Sequence, residues 1–126
     1  RLRTAERLGA HAVSRNPDVI RALREDPLVY RGRFPVRTAV EILDLPAKLE
    51  QAAAKFDLPY LFLQGGADKL SAASGARDFH ERSPSPDKTL RIYPGLYHEV
   101  ISEPERDAVL ADLIQWLDAR STPGSA

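Results

Sequence analysis

The sequence predicts an α/β protein with a parallel sheet, and the order of four features after residue 59 indicates this class. A continuous apolar run, "YLFL", lies between Pro59 and the pair Gly65-Gly66, as is typical of a strand buried on both faces. A helical pattern follows it, and "KTLRIYP" is a second strand candidate. Another helical pattern comes last. This order is typical of parallel strands joined by helical crossovers.

The first half of the chain has helical patterns only. "NPDVIRALRED" predicts a helix, because Asn16 can cap it and Pro17 suits a first turn. Asp26 should end this helix, since the residue before a proline is pushed out of the α region. "PLVYRGRFP" then reads as an extended connection. Two short helices are predicted for "VRTAVEILDLPAKLEQAAAKF", meeting at a break at Pro46.

The second half supplies the elements that flank the strands. Ser71 is predicted to cap a helix that runs to about Arg82, and "SPSPD" is predicted to be an exposed turn. The last helix opens with Ser102 and Glu105 at capping-box spacing. Its apolar stripe comprises Val109, Leu110, Leu113, Ile114 and Leu117. Because two parallel strands alone make no stable sheet, we expect them to form the edge of a larger one.

Composition excludes several classes of function. Of 126 residues, 18 are basic and 18 acidic, so no basic field exists to hold nucleic acid. The absence of cysteine excludes disulfides, thiolate metal sites and thiol nucleophiles. No acidic or histidine cluster has metal-ligand spacing, so neither metal nor cofactor is predicted. No apolar run approaches the roughly 20 residues of a membrane helix. Because the sequence contains no methionine, we expect it to start within a longer protein.

Asp68 and His98 are the candidate catalytic residues. Each lies in the loop after a predicted strand, and ligands of parallel sheets bind beyond the carboxyl ends of the strands. If the strands are parallel neighbours, both side chains emerge at one edge, where a carboxylate can orient an imidazole as general base. We expect Gly65 and Gly66 to bend the turn before Asp68. The alternative is an Asx turn for the aspartate and a surface or packed position for the histidine.

Three stretches carry a resemblance to a known family. "NPDVIRALREDPLVYRGR", "LPYLFLQGGADKL" and "SPSPDKTLRIYPGLYHEVISEPERDAVLADLIQWL" resemble the C-terminal half of the monoacylglycerol lipase and lysophospholipase branch of the α/β-hydrolases. The resemblance implies the late part of that fold, a parallel sheet with flanking helices, plus a helical cap. Residues 1–58 would form the cap and its return to the core, residues 59–120 the last two strands and their helices, and residues 121–126 a tail.

By that resemblance, Asp68 is the acid and His98 the base of a Ser-Asp-His triad in a serine esterase of lipid degradation. The substrate would be a lipid ester such as monoacylglycerol, and Leu70, Leu96 and Tyr97 are candidates to line its acyl pocket. Ordinary packing at the strand ends is the alternative for these three residues. The expected location is the cytoplasm or the membrane periphery, with peripheral contact of the cap with a membrane left open.

The sequence departs from the family at the nucleophile. No Gly-x-Ser-x-Gly elbow occurs in it. We therefore expect an N-terminal portion of the same hydrolase to carry the elbow and the isolated chain to be inactive. That chain should also expose apolar area and aggregate or stay loosely folded. A non-catalytic binding fragment, a lysophospholipase, another esterase, an acyltransferase and a haloperoxidase of the same fold are the alternatives.

Overall fold

The computed structural model describes residues 9–30 and 35–121. Residues 1–8 and 31–34 of the predicted cap segment lie outside this part, as do residues 122–126 of the predicted tail. The tail prediction is wrong at Ser121, which is the last residue of a helix. The elements in chain order are α1 (Ala10–Val13), α2 (Pro17–Glu25), α3 (Val36–Ala53), β1 (Tyr60–Gly65), α4 (Ala73–Arg82), β2 (Lys88–Tyr93), a 3-10 turn (Val100–Ser102) and α5 (Arg106–Ser121).

The two strands form a parallel pair, as the sequence predicts. Tyr60 lies opposite Lys88 at one end of the register, and Gly65 lies opposite Tyr93 at the other. The connection between them carries α4, which contacts both strands. Because the strands run in the same direction, their carboxyl ends lie at one edge, and the loops after Gly65 and after Tyr93 leave the sheet side by side.

The helix α2 confirms the predictions for its two ends. Asn16 is its N-cap, and the Asn16 side-chain oxygen accepts a hydrogen bond from the Asp18 amide at 3.0 Å. The helix ends at Glu25, and Asp26 has an extended conformation with ψ of 116°. The side-chain cap at Asn16 therefore sets the start of α2, and the position of Asp26 before a proline sets its end.

The predicted break at Pro46 is wrong, because α3 is one helix of 18 residues with this proline inside it. Proline removes one backbone hydrogen bond and leaves a carbonyl in the preceding turn without its partner. All residues from 41 to 50 are exposed, so water can reach that carbonyl and the helix continues.

Two predicted helix caps are also wrong. α4 has Ala72 as its N-cap, with no side-chain hydrogen bond, because the Ser71 amide belongs to the preceding loop and donates to Asp68 at 3.1 Å. Ser102 lies in the 3-10 turn, and α5 begins four positions later at Arg106. A short turn between β2 and α5 thus displaces the helix start from the position that the capping-box spacing indicates.

The segment "SPSPD" is not an exposed turn. Ser83 and Ser85 are both buried, with 2% and 3% of their surfaces exposed. The Ser83 hydroxyl donates to the Phe56 carbonyl at 2.5 Å, and the Ser85 hydroxyl donates to the Leu58 carbonyl at 2.8 Å. These hydroxyls satisfy the backbone that leads into β1, so the segment is a packed connection.

The apolar core is small. Leu96, Val100 and Val109 form its buried cluster, with Leu63 and Tyr93 packed against them. The prediction that the chain exposes apolar area is confirmed within the described residues; the exposed large side chains are Leu28, Tyr30, Val36, Val40, Ile42, Leu43, Leu45, Leu49, Leu58, Ile101, Leu110, Ile114 and Leu117. Among the described helices, none combines the length and the apolar character needed to span a bilayer.

Candidate active site

Asp68 lies in the loop after β1, and both of its carboxylate oxygens are occupied. Oδ1 accepts hydrogen bonds from the amides of Leu70 at 2.7 Å and Ser71 at 3.1 Å. Oδ2 accepts from Gln64 Nε2 at 3.0 Å and lies 2.9 Å from Nδ1 of His98. Only 2% of the Asp68 side chain is exposed, so the carboxylate is held in one orientation by its own loop.

The environment of Asp68 favours its charged form. Burial acts to raise the pKa of Asp68, but hydrogen bonds from His98, Leu70, Ser71 and Gln64 outweigh it and lower the pKa below its ordinary value. At neutral pH the carboxylate is therefore ionised and only accepts hydrogen bonds. It follows that Nδ1 of His98 carries the proton in this contact.

His98 lies in the loop after β2, which turns back at Gly95 with a φ of +85°. This loop is attached to the loop after β1, since the Ala67 amide donates to the Leu96 carbonyl at 3.0 Å. The His98 side chain is 41% exposed, and no described residue hydrogen-bonds its Nε2. With the proton on Nδ1, a neutral imidazole presents Nε2 as an acceptor, which is the form that a general base needs.

Gly65 acts in a different way from the one predicted. Neither Gly65 nor Gly66 has a positive φ. A β-carbon on residue 65 would instead collide with the backbone of the histidine loop, at 2.5 Å from the Leu96 carbonyl oxygen. Glycine at this position permits close contact between the two loops rather than a tight bend.

The structure brings Asp68 and His98 into contact. The three candidate pocket residues differ in how far they are buried and in what they contact. Leu96 packs in the core with 5% of its surface exposed, in agreement with the packing alternative. Tyr97 is half-buried, and Lys69 Nζ lies 4.4 Å from the centre of its ring. Leu70 is half-buried beside Asp68. Contact of these residues with a substrate stays a prediction.

The other histidines lie elsewhere. His80 is half-buried, and its Nδ1 lies 3.2 Å from the Tyr60 hydroxyl. This contact arises because α4 packs its last turn against the start of β1. His11 is exposed and contacts the Arg24 side chain. Within the described residues, no group of three His, Asp or Glu side chains is placed to hold a metal ion.

Sequence reasoning missed a second buried carboxylate, that of Glu103. It is fully buried and accepts hydrogen bonds from Ser14, from Arg15 and from the Tyr97 amide. Burial acts to raise the pKa of Glu103, but these hydrogen bonds, led by that from Arg15, lower it. No local pattern reveals the site, because Ser14 lies 89 positions away in the sequence.

The architecture and the site together define a class of protein. A parallel β-α-β unit with an aspartate and a histidine in the two loops at its carboxyl edge is the late part of an α/β-hydrolase fold. The chain belongs to the serine aminopeptidase S33 family, whose model matches residues 1–105.

Similar proteins point to one branch of this family. The chain is 41% identical to the monoacylglycerol lipase of Mycolicibacterium smegmatis over 89% of its length, and 36% identical to the monoglyceride lipase of Mus musculus over 98%. It spans only 40% and 41% of those two relatives. The crystal structure of Paleococcus ferrophilus monoacylglycerol lipase superposes with a TM-score of 0.81 at 30% identity, covering 90% of this chain and 44% of that one.

Proposed function

We propose that this chain supplies the acid and the base of a serine ester hydrolase that releases fatty acid from monoacylglycerol. The observation that carries the proposal is the 2.9 Å contact between Asp68 Oδ2 and His98 Nδ1 at the carboxyl edge of two parallel strands. Asp68 fixes the tautomer of His98 and stabilises the imidazolium, and the exposed Nε2 takes the proton. The similarity to proteins named monoacylglycerol lipases supports the choice of substrate.

The proposed reaction has two steps. His98 Nε2 removes the proton of a serine hydroxyl while the serine oxygen attacks the ester carbonyl, and the imidazolium then gives that proton to the departing glycerol oxygen. This leaves the acyl group on the serine. In the second step His98 removes a proton from water, the hydroxide attacks the acyl-serine, and the proton returns to the serine oxygen as the fatty acid leaves.

The nucleophile in this proposal lies outside the present chain. None of the eight serines stands in a Gly-x-Ser-x-Gly elbow. The described serines also have other surroundings: Ser14, Ser83 and Ser85 are buried in hydrogen bonds with backbone or Glu103. A preceding segment of the same hydrolase would carry the elbow and the oxyanion hole, and the short span of this chain along its relatives supports that arrangement.

The remaining part of the proposal concerns the helices before β1. We assign them to a cap over the site, with exposed apolar side chains on α3 at Val36, Val40 and Leu43 available to acyl chains or to a membrane surface. Net neutrality of the chain suits an uncharged glyceride. Leu70 and Tyr97 flank the Asp68 and His98 pair and would contact the reacting end of the acyl chain.

A fluorophosphonate probe, which labels only activated serines, tests the proposal on the natural protein by intact-mass spectrometry. One probe adduct is expected on a species heavier than this chain, and His98→Ala should abolish it. His11→Ala is the matched control, because His11 is exposed and lies outside the site, and it should keep full labelling. Hydrolysis of monoacylglycerol, lysophospholipid and a short soluble ester then ranks the substrates.

Two results would overturn the proposal. Labelling that survives His98→Ala would show that another base activates the serine. A natural protein that takes no probe and co-purifies with no labelled partner would favour the non-catalytic binding fragment.

A further inference from the structure

Hydrogen bonds anchor the backbone on both sides of His98. The amide of Tyr97 donates to Glu103 Oε2 at 2.9 Å, and the amide of Glu99 donates to the Val13 carbonyl at 3.0 Å. Because the His98 side chain is 41% exposed and, among the described residues, hydrogen-bonds only with Asp68, its position depends on the backbone that carries it. These two backbone contacts therefore set the position of the imidazole.

The Glu103 carboxylate, which holds the Tyr97 amide, also accepts hydrogen bonds from Ser14 and Arg15. Its Oε1 accepts from the Ser14 hydroxyl at 2.8 Å and the Arg15 amide at 2.6 Å, and its Oε2 accepts from Arg15 Nε at 2.7 Å. The side chain has no exposed surface. One buried carboxylate thus joins Ser14 and Arg15 to the loop that carries His98, across 89 positions of the sequence.

The charge on Glu103 follows from the groups around it. Three N–H donors and the Ser14 hydroxyl face its two oxygens, and each oxygen receives at least one N–H, so both oxygens must be acceptors. A glutamine would turn an NH₂ group toward either the Tyr97 and Arg15 donors or the Ser14 and Arg15 donors. In a buried site such an unmatched donor pushes its neighbours apart.

We infer that Glu103 is a positioning residue for His98: its carboxylate holds the Tyr97 amide and so keeps the imidazole in line with Asp68. This inference rests on the proposed function, because it assigns Glu103 a part in the same site. A purely structural residue would change stability without changing the His98 to Asp68 contact.

The test compares Glu103→Gln with Glu105→Gln in the natural protein. Glu105 is the matched control, since it also pairs with Arg15 but is 50% exposed, and within the described part of the chain its side chain makes no hydrogen bond to the histidine loop. The measurements are the rate constant of fluorophosphonate labelling, the melting temperature, and the NMR resonance of the Nδ1 proton shared between His98 and Asp68. Ser85→Ala, which removes a buried hydroxyl from the connection between α4 and β2, reports the effect of lost stability alone.

We expect Glu103→Gln to slow labelling of the folded protein at least tenfold and to move or broaden the Nδ1 proton resonance. Glu105→Gln and Ser85→Ala should label within about twofold of the natural rate and keep the resonance. If Glu103→Gln does not fold, Glu103→Asp, which withdraws the carboxylate by one methylene, should show the same pattern to a smaller degree.

The inference is overturned if Glu103→Gln, or Glu103→Asp in its place, keeps both the labelling rate and the resonance while lowering the melting temperature. Failure of the proposed function looks different. In that case the natural protein takes no probe, and the Nδ1 resonance by itself decides whether Glu103 positions His98.

Discussion

A β-carbon on residue 65 would stand 2.0 Å from the carbonyl oxygen of Tyr97, so the end of β1 and the histidine loop fit together only because residue 65 is glycine. The same loop gives its Leu96 carbonyl to the Ala67 amide. Gly65 therefore contributes to the site by leaving room for the backbone that carries His98.

Gly65→Ala should lower the free energy of unfolding by about 2 kcal/mol or more, because the added methyl meets backbone that cannot rotate away. Gly75→Ala is the control. Gly75 lies in α4 with nothing within 4 Å of a β-carbon, and alanine is the better helix former, so stability should rise by up to about 1 kcal/mol. Urea denaturation of the natural protein measures both, and equal effects of the two changes would contradict the close-contact argument.

Asp68→Asn should reduce serine labelling and ester hydrolysis by about 10⁴-fold while leaving the fold in place. The amide cannot accept the Nδ1 proton as the carboxylate does, so His98 loses the tautomer that leaves Nε2 as acceptor. Asp87→Asn is the control, since Asp87 pairs with Arg120 on the surface away from the site. A drop of less than tenfold for Asp68→Asn would remove Asp68 from the proposed mechanism.

We expect the ionisation of Glu103 to make the free energy of unfolding depend on pH in the acidic range. Its folded-state pKa is lowered by Arg15, the Tyr97 amide and Ser14, which face it from two segments. A group with a lowered pKa contributes stability above its unfolded value of about 4.3, and that contribution is lost as pH falls through the folded value. Urea midpoints measured from pH 6 to pH 3 should fall, and Glu103→Gln should start lower and fall less. Parallel curves would show that the carboxylate does not titrate with unfolding.

Ser85→Ala tests the packed connection between α4 and β2. The change removes the hydroxyl donor of the Leu58 carbonyl, which should lower the free energy of unfolding by about 1 kcal/mol. Ser74→Ala is the control, because Ser74 is exposed in α4 and alanine favours the helix. A loss below about 0.5 kcal/mol for Ser85→Ala would support the exposed turn that the sequence predicts.

Local sequence patterns predicted those structural features that a short stretch of the chain determines by itself. The boundaries of α2 follow from Asn16 and Asp26, and "YLFL" between Pro59 and the two glycines is a strand. The convergence of Asp68 and His98 followed from one further assumption, that the strands are parallel neighbours, and the register confirms it. Asp68 meets both interpretations that the sequence allowed, the Asx turn and the partner of a histidine. Its Oδ1 accepts from the Leu70 amide, and its Oδ2 contacts His98.

Such local patterns could not predict contacts between segments that are distant in the sequence. Ser14 and Glu103 meet across 89 positions, and Ser83 and Ser85 face backbone 27 positions earlier, so neither polarity nor turn chemistry indicates that they are buried. The capping-box spacing of Ser102 and Glu105 was overridden by the 3-10 turn, and Glu105 pairs with Arg15 instead. Tertiary contacts settled these positions.

Asp68 and His98 lie only 30 positions apart, on the two ends of one β-α-β unit. Genetic exchange of a segment of that size would transfer both groups at once, already oriented toward each other. Replacement of α3 would leave in place both the pair and the backbone contact of Glu99 with Val13. In the proposed enzyme, a change in the cap and the preservation of the pair would therefore be separable in inheritance, because α3 and the β-α-β unit occupy different stretches of the gene.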